Sequence, residues 1–364
     1  MSDHATHHRW MNVALQAASQ IVGHTAENPP VGCAIIDKEG HLVGVGYTAA
    51  GGRPHAETMA LASAGEQAKG GQAFVTLEPC AHYGKTPPCA LALIEAGVRA
   101  VHIAIGDPDA RVSGKGIAML EEAGINTTLG MGAEQAERQM AGFLSRQMKK
   151  RPFVTLKMAS SADGFIAKNA GEQTWLTGEI ARRYVHDMRS RHDVILTASG
   201  TLSADNPQLN VRLAGWQKSQ PDIALLCGDG TLKSDAALLQ TDRLVRLYHK
   251  EGVMLPSLPS SVIAKAIKID DNGLSLEAVL FDLAEQGYGR VMVEAGAKLA
   301  QSLLSANLID EFIWLKAPQL LKTGLKAWKS ADDVDFSAPE GYIKRKTFTL
   351  GADIVSIFHP DNRA

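Results

Sequence analysis

Three residues suited to hold one metal ion, His55, Cys80 and Cys89, lie well apart in the chain, so any fold it adopts must bring their neighbourhoods together. Each stands where a helix is expected to begin. Pro54 precedes His55 and suits the first turn of a helix, and Pro79 and Pro88 precede the two cysteines. Imidazole and thiolate are ligands that zinc takes in a tetrahedron, and a catalytic zinc keeps one position open for water. A structural zinc would need a fourth protein ligand, and the other cysteines offer none: Cys33 falls in an expected strand and Cys227 far away in the second half. Glu57, two residues after His55, is placed to take a proton from an activated water and pass it on. The cysteines enclose eight residues, Ala81 to Pro88.

Around these residues the pattern alternates between helix and strand. Met11, Ala14, Leu15, Ala18, Ile21 and Val22 predict a helix over 8–23. Strands are expected at 31–36 and 42–47, paired as a hairpin about Asp37-Lys38-Glu39-Gly40, and again at 73–77, 101–105 and 125–129. Helices are expected at 57–69, 90–96, 116–123 and 133–147. That order predicts an α/β sandwich whose sheet is largely parallel beyond the opening hairpin, with ligands at strand ends and helix starts.

At 364 residues the chain is long enough for two domains. The basic, proline-terminated stretch Met148-Lys149-Lys150-Arg151-Pro152 separates an expected domain over 1–147 from one over 152–364. A net charge of −2 gives no pull toward nucleic acid, and no apolar run is long enough for a membrane span or a signal segment. The histidines at 4, 7 and 8 read as a frayed terminus, and four cysteines fit a reducing cytoplasm. The second half reads as a mixed α/β domain of its own, with strands at 155–159, 193–197, 223–227, 243–248, 290–294 and 311–317. Helices are expected there at 179–191, 276–286 and 298–306, and a closing hairpin over 342–358 turns at Gly351. Only the turn Glu294-Ala295-Gly296-Ala297, between a strand and a helix, suits an anion, and no G-x-G-x-x-G fingerprint is present.

The order His-x-Glu, then Pro-Cys, then a second Cys is that of zinc-dependent nucleobase deaminases. Asn28-Pro29-x-Val31-Gly32-Cys33, His55-Ala56-Glu57 and Thr76-Leu77-Glu78-Pro79-Cys80-x-His82-x-Gly84-Lys85-Thr86-Pro87-Pro88-Cys89 resemble the deaminase domain of the bifunctional riboflavin-biosynthesis deaminase/reductase family. The resemblance implies a cytidine-deaminase-like fold, zinc on His55, Cys80 and Cys89, Glu57 as the catalytic proton carrier, and substrate contacts from His82 and Lys85. Asp107-Pro108 also matches a family turn near the site, whereas Pro30 departs from a common Asn.

In the second half, Lys157-x-Ala159-x-Ser161-x-Asp163-Gly164, Trp175-x-Thr177, Gly200-Thr201-x-x-Ala204-Asp205-x-Pro207-x-Leu209-x-Val211-Arg212 and Val293-Glu294-Ala295-Gly296 resemble the same family's reductase domain. That likeness implies a dihydrofolate-reductase-like fold, NADPH as cofactor, and hydride reduction of a ribosylamino carbon to ribitylamino. It implies cofactor contacts from Ala159, Trp175, Thr201, Asp205, Gly228 and the helix start Gly296, Ala297, Lys298, Leu299, Ala300, Gln301 and Ser302. Substrate contacts would come from Gln173, Arg189, Leu209, Arg212 and Glu294, the two arginines suiting a phosphate. Asp205 would stabilise or protonate the ring-opened nitrogen. Family members pair through this domain, which implies a homo-oligomer acting on small phosphoribosylated pyrimidines.

Asn206, Ala162, Gly228 after Cys227, and Gln319-Leu320-Leu321-Lys322 depart from the reductase pattern. They leave a rival reading, a deaminase carrying a relict reductase-like domain. A nucleic-acid-editing deaminase would want a basic groove and a short C-x-x-C, and a zinc-stabilised binding module would want a fourth ligand.

Overall fold

Small and apolar residues from Trp10 to Ala18 recur at helical spacing and seat the first helix on a sheet of buried strands. The structure is a computed structural model that describes residues 3–84, 87–109, 113–169, 174–233, 235–270, 273–327 and 338–361. The chain divides into two compact units, Met1–Lys150 and Arg151–Ala364.

The first unit runs α1 (Asp3–Ser19), β1 (Gly32–Ile36), β2 (Leu42–Tyr47), α2 (Ala56–Ala64), β3 (Gln72–Leu77), α3 (Cys89–Glu95) and β4 (Ala100–Ile105). It closes with α4 (Lys115–Glu122), β5 (Asn126–Leu129), α5 (Ala133–Gln139) and α6 (Ala141–Lys149). Its five-stranded sheet has the order β2-β1-β3-β4-β5; β1 is antiparallel to β2 and β3, and β3, β4 and β5 are parallel. Three expected helices end differently. The first stops at Ser19; the second stops at Ala64, because Gly65 takes a positive φ of 53°; and the last breaks into two at the fully buried Met140. Gly44 and Gly46 on β2 let α2 come very close: a Cβ on either would lie 2.2 Å from the carbonyl oxygen of Ala60 or Ala56. This contact fixes the height of the helix that begins after His55.

The second unit runs β6 (Phe153–Ser160), β7 (Phe165–Ala167), α7 (Glu179–Arg189), β8 (Val194–Ala198), α8 (Ser199–Asp205), β9 (Asp222–Leu226), β10 (Val245–Lys250) and β11 (Val262–Ile267). There follow β12 (Ile269–Asp270), β13 (Gly273–Leu274), α9 (Leu276–Glu285), β14 (Arg290–Glu294), α10 (Ala297–Ser305), β15 (Glu311–Lys316), β16 (Leu325–Lys326), β17 (Tyr342–Leu350) and β18 (Asp353–Pro360). The nine-stranded sheet has the order β11-β10-β9-β8-β14-β6-β15-β18-β17. The strands from β11 to β15 are parallel, and the closing hairpin adds an antiparallel edge. One core packs Phe312, Trp314 and Phe358 with α9 and α10; another packs Ile195, Leu225 and Leu247 with α7. Arg151 grips Asp310 with two donors at 2.5 and 3.0 Å, and Asp310 also accepts from Val154 N at 2.9 Å, which pins the start of β6.

His102 on β4 is buried between neighbouring strands, its ring stacked on Phe74 and its nitrogens 2.8 Å from Gln72 Oε1 and 2.7 Å from Thr128 Oγ1. Burial, reinforced by His7 and Arg99, holds its pKa down to about 4. An unfolded histidine titrates near ~6.5, so between these values protons favour the unfolded state. The stability of the first unit is therefore full above pH ~6.5 and declines as pH falls toward 4. Amide exchange of β3–β5 against pH should show that decline in the wild type and a weaker one in His102→Gln.

Candidate active sites

His55 is the residue just before α2, in extended conformation, and Glu57 occupies the helix's first turn. Cys89 opens α3, and Cys80 lies in the loop that leaves β3. His55 Nδ1 lies 3.3 Å from Cys89 Sγ and 3.8 Å from Cys80 Sγ, and all three donor atoms fall within 4.8 Å of one another. A tetrahedral zinc with bonds of about 2.1–2.3 Å spaces its ligand atoms by roughly 3.5–3.8 Å, so the donor set and its spacing fit the ion. Among the described residues no fourth His, Cys, Asp or Glu joins the group. The Cys89 backbone N–H donates to Cys80 Sγ at 3.3 Å. Hydrogen bonding from the Cys89 thiol, and then from His55, pulls the Cys80 pKa down to about 4, while Cys89, holding that proton for its neighbour, is pushed up. Glu57 is buried, which raises its carboxyl pKa, and it reaches the Cys89 thiol.

Glu78, a member of the Thr76–Cys89 motif, has a structural task. Its buried carboxylate accepts from the backbone N–H groups of Gly116 (2.9 Å), Gly114 (3.0 Å), Asp107 (3.2 Å) and Ile117 (3.4 Å). It thereby ties the loop carrying Cys80 to the turn after β4 and the start of α4. His82 is exposed, and Lys85 lies outside the described residues. Cys33 is a buried thiol within β1.

In the second unit a cavity of about 720 Å³ opens where β6, β8 and β14 end. Its polar wall is a cluster of charges, two of them, Arg189 and Glu294, buried. Arg189 holds Glu294 through Nε at 2.5 Å and Nη2 at 3.0 Å, and Lys157 Nζ lies 3.7 Å from the same carboxylate. Burial opposes ionisation of Glu294, but Arg189 and Lys157 outweigh it and hold the pKa at about 2. Lys157 is pulled down by its own burial, partly offset by Glu294. Asp205, across the cavity, is raised by burial and lowered less by Lys157. Lys157, within the Lys157–Gly164 motif, is marked by its half-buried place 3.7 Å from the Glu294 carboxylate.

Arg189, Leu209, Arg212, Glu294, Ala159, Trp175, Thr201 and Asp205 all line this cavity. Arg189 spends its fork on Glu294 and donates also to Asn210 O at 3.0 Å, so the exposed Arg212 is the freer of the two arginines for a phosphate. Leu209 takes a φ of 47° and is held by Arg243, which donates to Leu209 O at 3.0 Å and Pro221 O at 3.1 Å. Arg243 lies far along the chain from that loop, and no local pattern marks it. Gln173 lies outside the described residues.

A second cavity of about 840 Å³ shares Gly200, Thr201 and Gly296 with the first and extends past Gly228. Ala297, Lys298, Leu299 and Ser302 line it. Ala300 and Gln301 do not: Ala300 is fully buried in the core, and Gln301 bonds Ser305 on the outer face. One helix cannot turn seven consecutive residues to one ligand, because its faces repeat every 3.6 residues.

The departures in this half are accommodated by particular contacts. Asn206 closes α8 in a left-handed conformation (φ 39°), which suits Asn, and its Oδ1 accepts from Ala237 N at 2.8 Å. Gln319 donates to Trp175 O at 3.2 Å and Leu176 O at 3.1 Å, and Asp163 accepts from Leu321 N and Lys322 N.

A unit with a His-Cys-Cys metal-ligand set beside a buried glutamate, and a second with a charged cleft at the strand ends of a parallel sheet, define a two-domain enzyme of the deaminase/reductase class. The cytidine and deoxycytidylate deaminase zinc-binding region matches residues 4–105, and the RibD C-terminal domain matches residues 152–355. The chain is 42% identical to the riboflavin biosynthesis protein RibD of Haemophilus influenzae, over 86% of each chain, and 38% identical to that of Escherichia coli, over 86% of this chain and 88% of the other. Acinetobacter baumannii RibD superposes with a TM-score of 0.87 at 36% identity, covering 98% of this chain and 99% of that one. A Thermotoga maritima diaminohydroxyphosphoribosylaminopyrimidine deaminase/5-amino-6-(5-phosphoribosylamino)uracil reductase superposes with a TM-score of 0.89 at 30% identity, covering 99% and 100%. The chain belongs to the RibD family of riboflavin biosynthesis proteins. It is a bifunctional enzyme, a zinc deaminase joined to an NADPH reductase, and the relict-reductase reading is not favoured.

Replacing Glu78 by Ala strands four backbone donors beside the metal loop. The expected cost is on the order of 3 kcal/mol, with faster amide exchange at Asp107, Gly114, Gly116 and Ile117 and lower deaminase activity. Unchanged exchange would remove Glu78 from the scaffold.

Proposed function

We propose that the first unit hydrolyses the amino group of a diaminohydroxyphosphoribosylaminopyrimidine and that the second reduces the ribosyl chain of the product to ribityl. The pairing of a three-donor metal site and Glu57 with a separate cleft built on Lys157, Arg189 and Glu294 carries this reading.

Zinc, when held by His55, Cys80 and Cys89, supplies the Lewis acidity that makes water nucleophilic at neutral pH. Glu57, buried and with a raised pKa, accepts the proton of the attacking water and delivers it to the departing ammonia. His82 and Lys85, in the insertion between the cysteines, bind the phosphoribosylated substrate.

In the second unit NADPH, when bound, would supply a hydride for C1′ of the ring-opened sugar. Ala159, Trp175, Thr201 and Gly296 would hold its nicotinamide half, and Gly228 with the start of α10 the remainder. Asp205, which lines the same cavity and whose pKa burial raises, passes a proton to the nitrogen as C1′ is reduced. Arg212 takes the substrate phosphate, and Glu294 with Lys157 presents a fixed pair of opposite charges to the pyrimidine. We place the enzyme in the cytoplasm, where thiolate ligands stay reduced, as a homo-oligomer.

Two variants separate the activities. Glu57→Gln should retain one zinc per chain and lose about 10²–10⁴-fold in ammonia release, while still oxidising NADPH on deaminated substrate. Asp205→Asn should do the converse, with ammonia release unchanged. Full deaminase activity in Glu57→Gln, or full reductase activity in Asp205→Asn, would overturn the corresponding assignment.

A further inference from the structure

Five neighbouring parallel strands, β6, β14, β8, β9 and β10, end along the edge where the two cavities lie. At about 4.8 Å per strand the row spans roughly 19 Å. The Lys157–Glu294 cluster stands at one end and Lys250, the last residue of β10, at the other. Gly228 follows the neighbouring strand β9, and the stem of Lys250 lies across it. A Cβ at position 228 would meet Lys250 Cε at 3.4 Å and Cγ at 3.9 Å. Lys250 therefore lines the wall of the second cavity at the end remote from the reacting groups.

The other charges of this cavity are differently placed: Lys326 ends β16, next to Leu325, which lines both cavities. Lys298 sits on the first turn of α10 beside Gly296, where the backbone N–H groups of a nine-residue helix suit a pyrophosphate. Asp229, next to Gly228, is turned into its own loop, where its carboxylate accepts from Thr231 N at 3.1 Å and from the Cys227 thiol at 3.7 Å. Among the described residues no carboxylate forms an ion pair with Lys250. Asp270 and Glu277 also line the cavity, so a second phosphate there requires a cation of its own.

We infer that Lys250 is the residue that selects NADPH over NADH, by pairing its ammonium with the 2′-phosphate on the adenosine ribose. The inference rests on the second cavity being the cofactor's. The lysine stem runs along the backbone at Gly228, close enough that a Cβ there would be in van der Waals contact with it.

Equilibrium binding to the full-length, zinc-loaded chain tests it. Lys250→Met should weaken 2′,5′-ADP and NADPH by on the order of tenfold and leave 5′-AMP and NADH unchanged; Lys250→Arg should retain most of the preference. An unchanged NADPH-to-NADH ratio in Lys250→Met would overturn the role of Lys250 and leave the cavity's assignment standing. Equal weakening of both dinucleotides would overturn it too, as the mark of a general packing effect. Failure of the wild type to bind either dinucleotide would remove the cavity's assignment, and the inference with it.

Discussion

A carboxylate buried at or beyond the end of a strand survives only if donors close around it, since an unpaired buried charge costs several kcal/mol. Each half of this chain is built around one. In the first unit Glu78 follows β3 and gathers four backbone N–H groups, so the loop carrying Cys80 and the segment after β4 hold a common position. In the second unit Glu294 ends β14 and is met by Arg189 from α7 and Lys157 from β6. The demand is the same in both, yet the answers differ. Backbone donors make a rigid scaffold beside a metal site, whereas side-chain cations leave a polarised wall facing a cleft.

Both sites occupy the ends of parallel strands, where successive strands diverge into helices and loops and leave room for a ligand. The first uses this room for three donor atoms, with α2 set at a fixed height by Gly44 and Gly46. The second spreads a longer groove over several strand ends. Residues that depart from the family's pattern there are tied in by contacts of their own: Asn206 by its left-handed backbone, Gln319 by the carbonyls of the Trp175 segment, and Gly228 by the lysine stem across it.

Much of the first unit was legible. His55, Glu57, Cys80 and Cys89 carry distinctive chemistry at helix starts, and strands such as Gln72–Leu77 are short apolar runs that local pattern detects. Helix ends were less legible, because Met140 and Gly65 interrupt helices through burial and backbone conformation that spacing does not reveal. In the second unit Lys157 and Glu294 stood in motifs, but Arg243 did not. It reaches Leu209 from a distant part of the chain, and nothing in its neighbourhood announces that contact. Within 297–302, helical geometry sends the Ala300 side chain into the core, which its place after Gly296 does not announce.

By itself the amino-acid sequence determined the chemistry available: a soft donor set for zinc, a proton-carrying glutamate, and alternating elements that imply sheets covered by helices. Those are properties of residue type and short-range order, and both are written in the chain. Which arginine is spent on a buried carboxylate and which is left exposed, which lysine faces a carboxylate and which lies over a glycine at the far end of a groove were decided only by the tertiary structure. Such choices depend on which strand ends become neighbours, and strand order brings together residues that no local interaction connects.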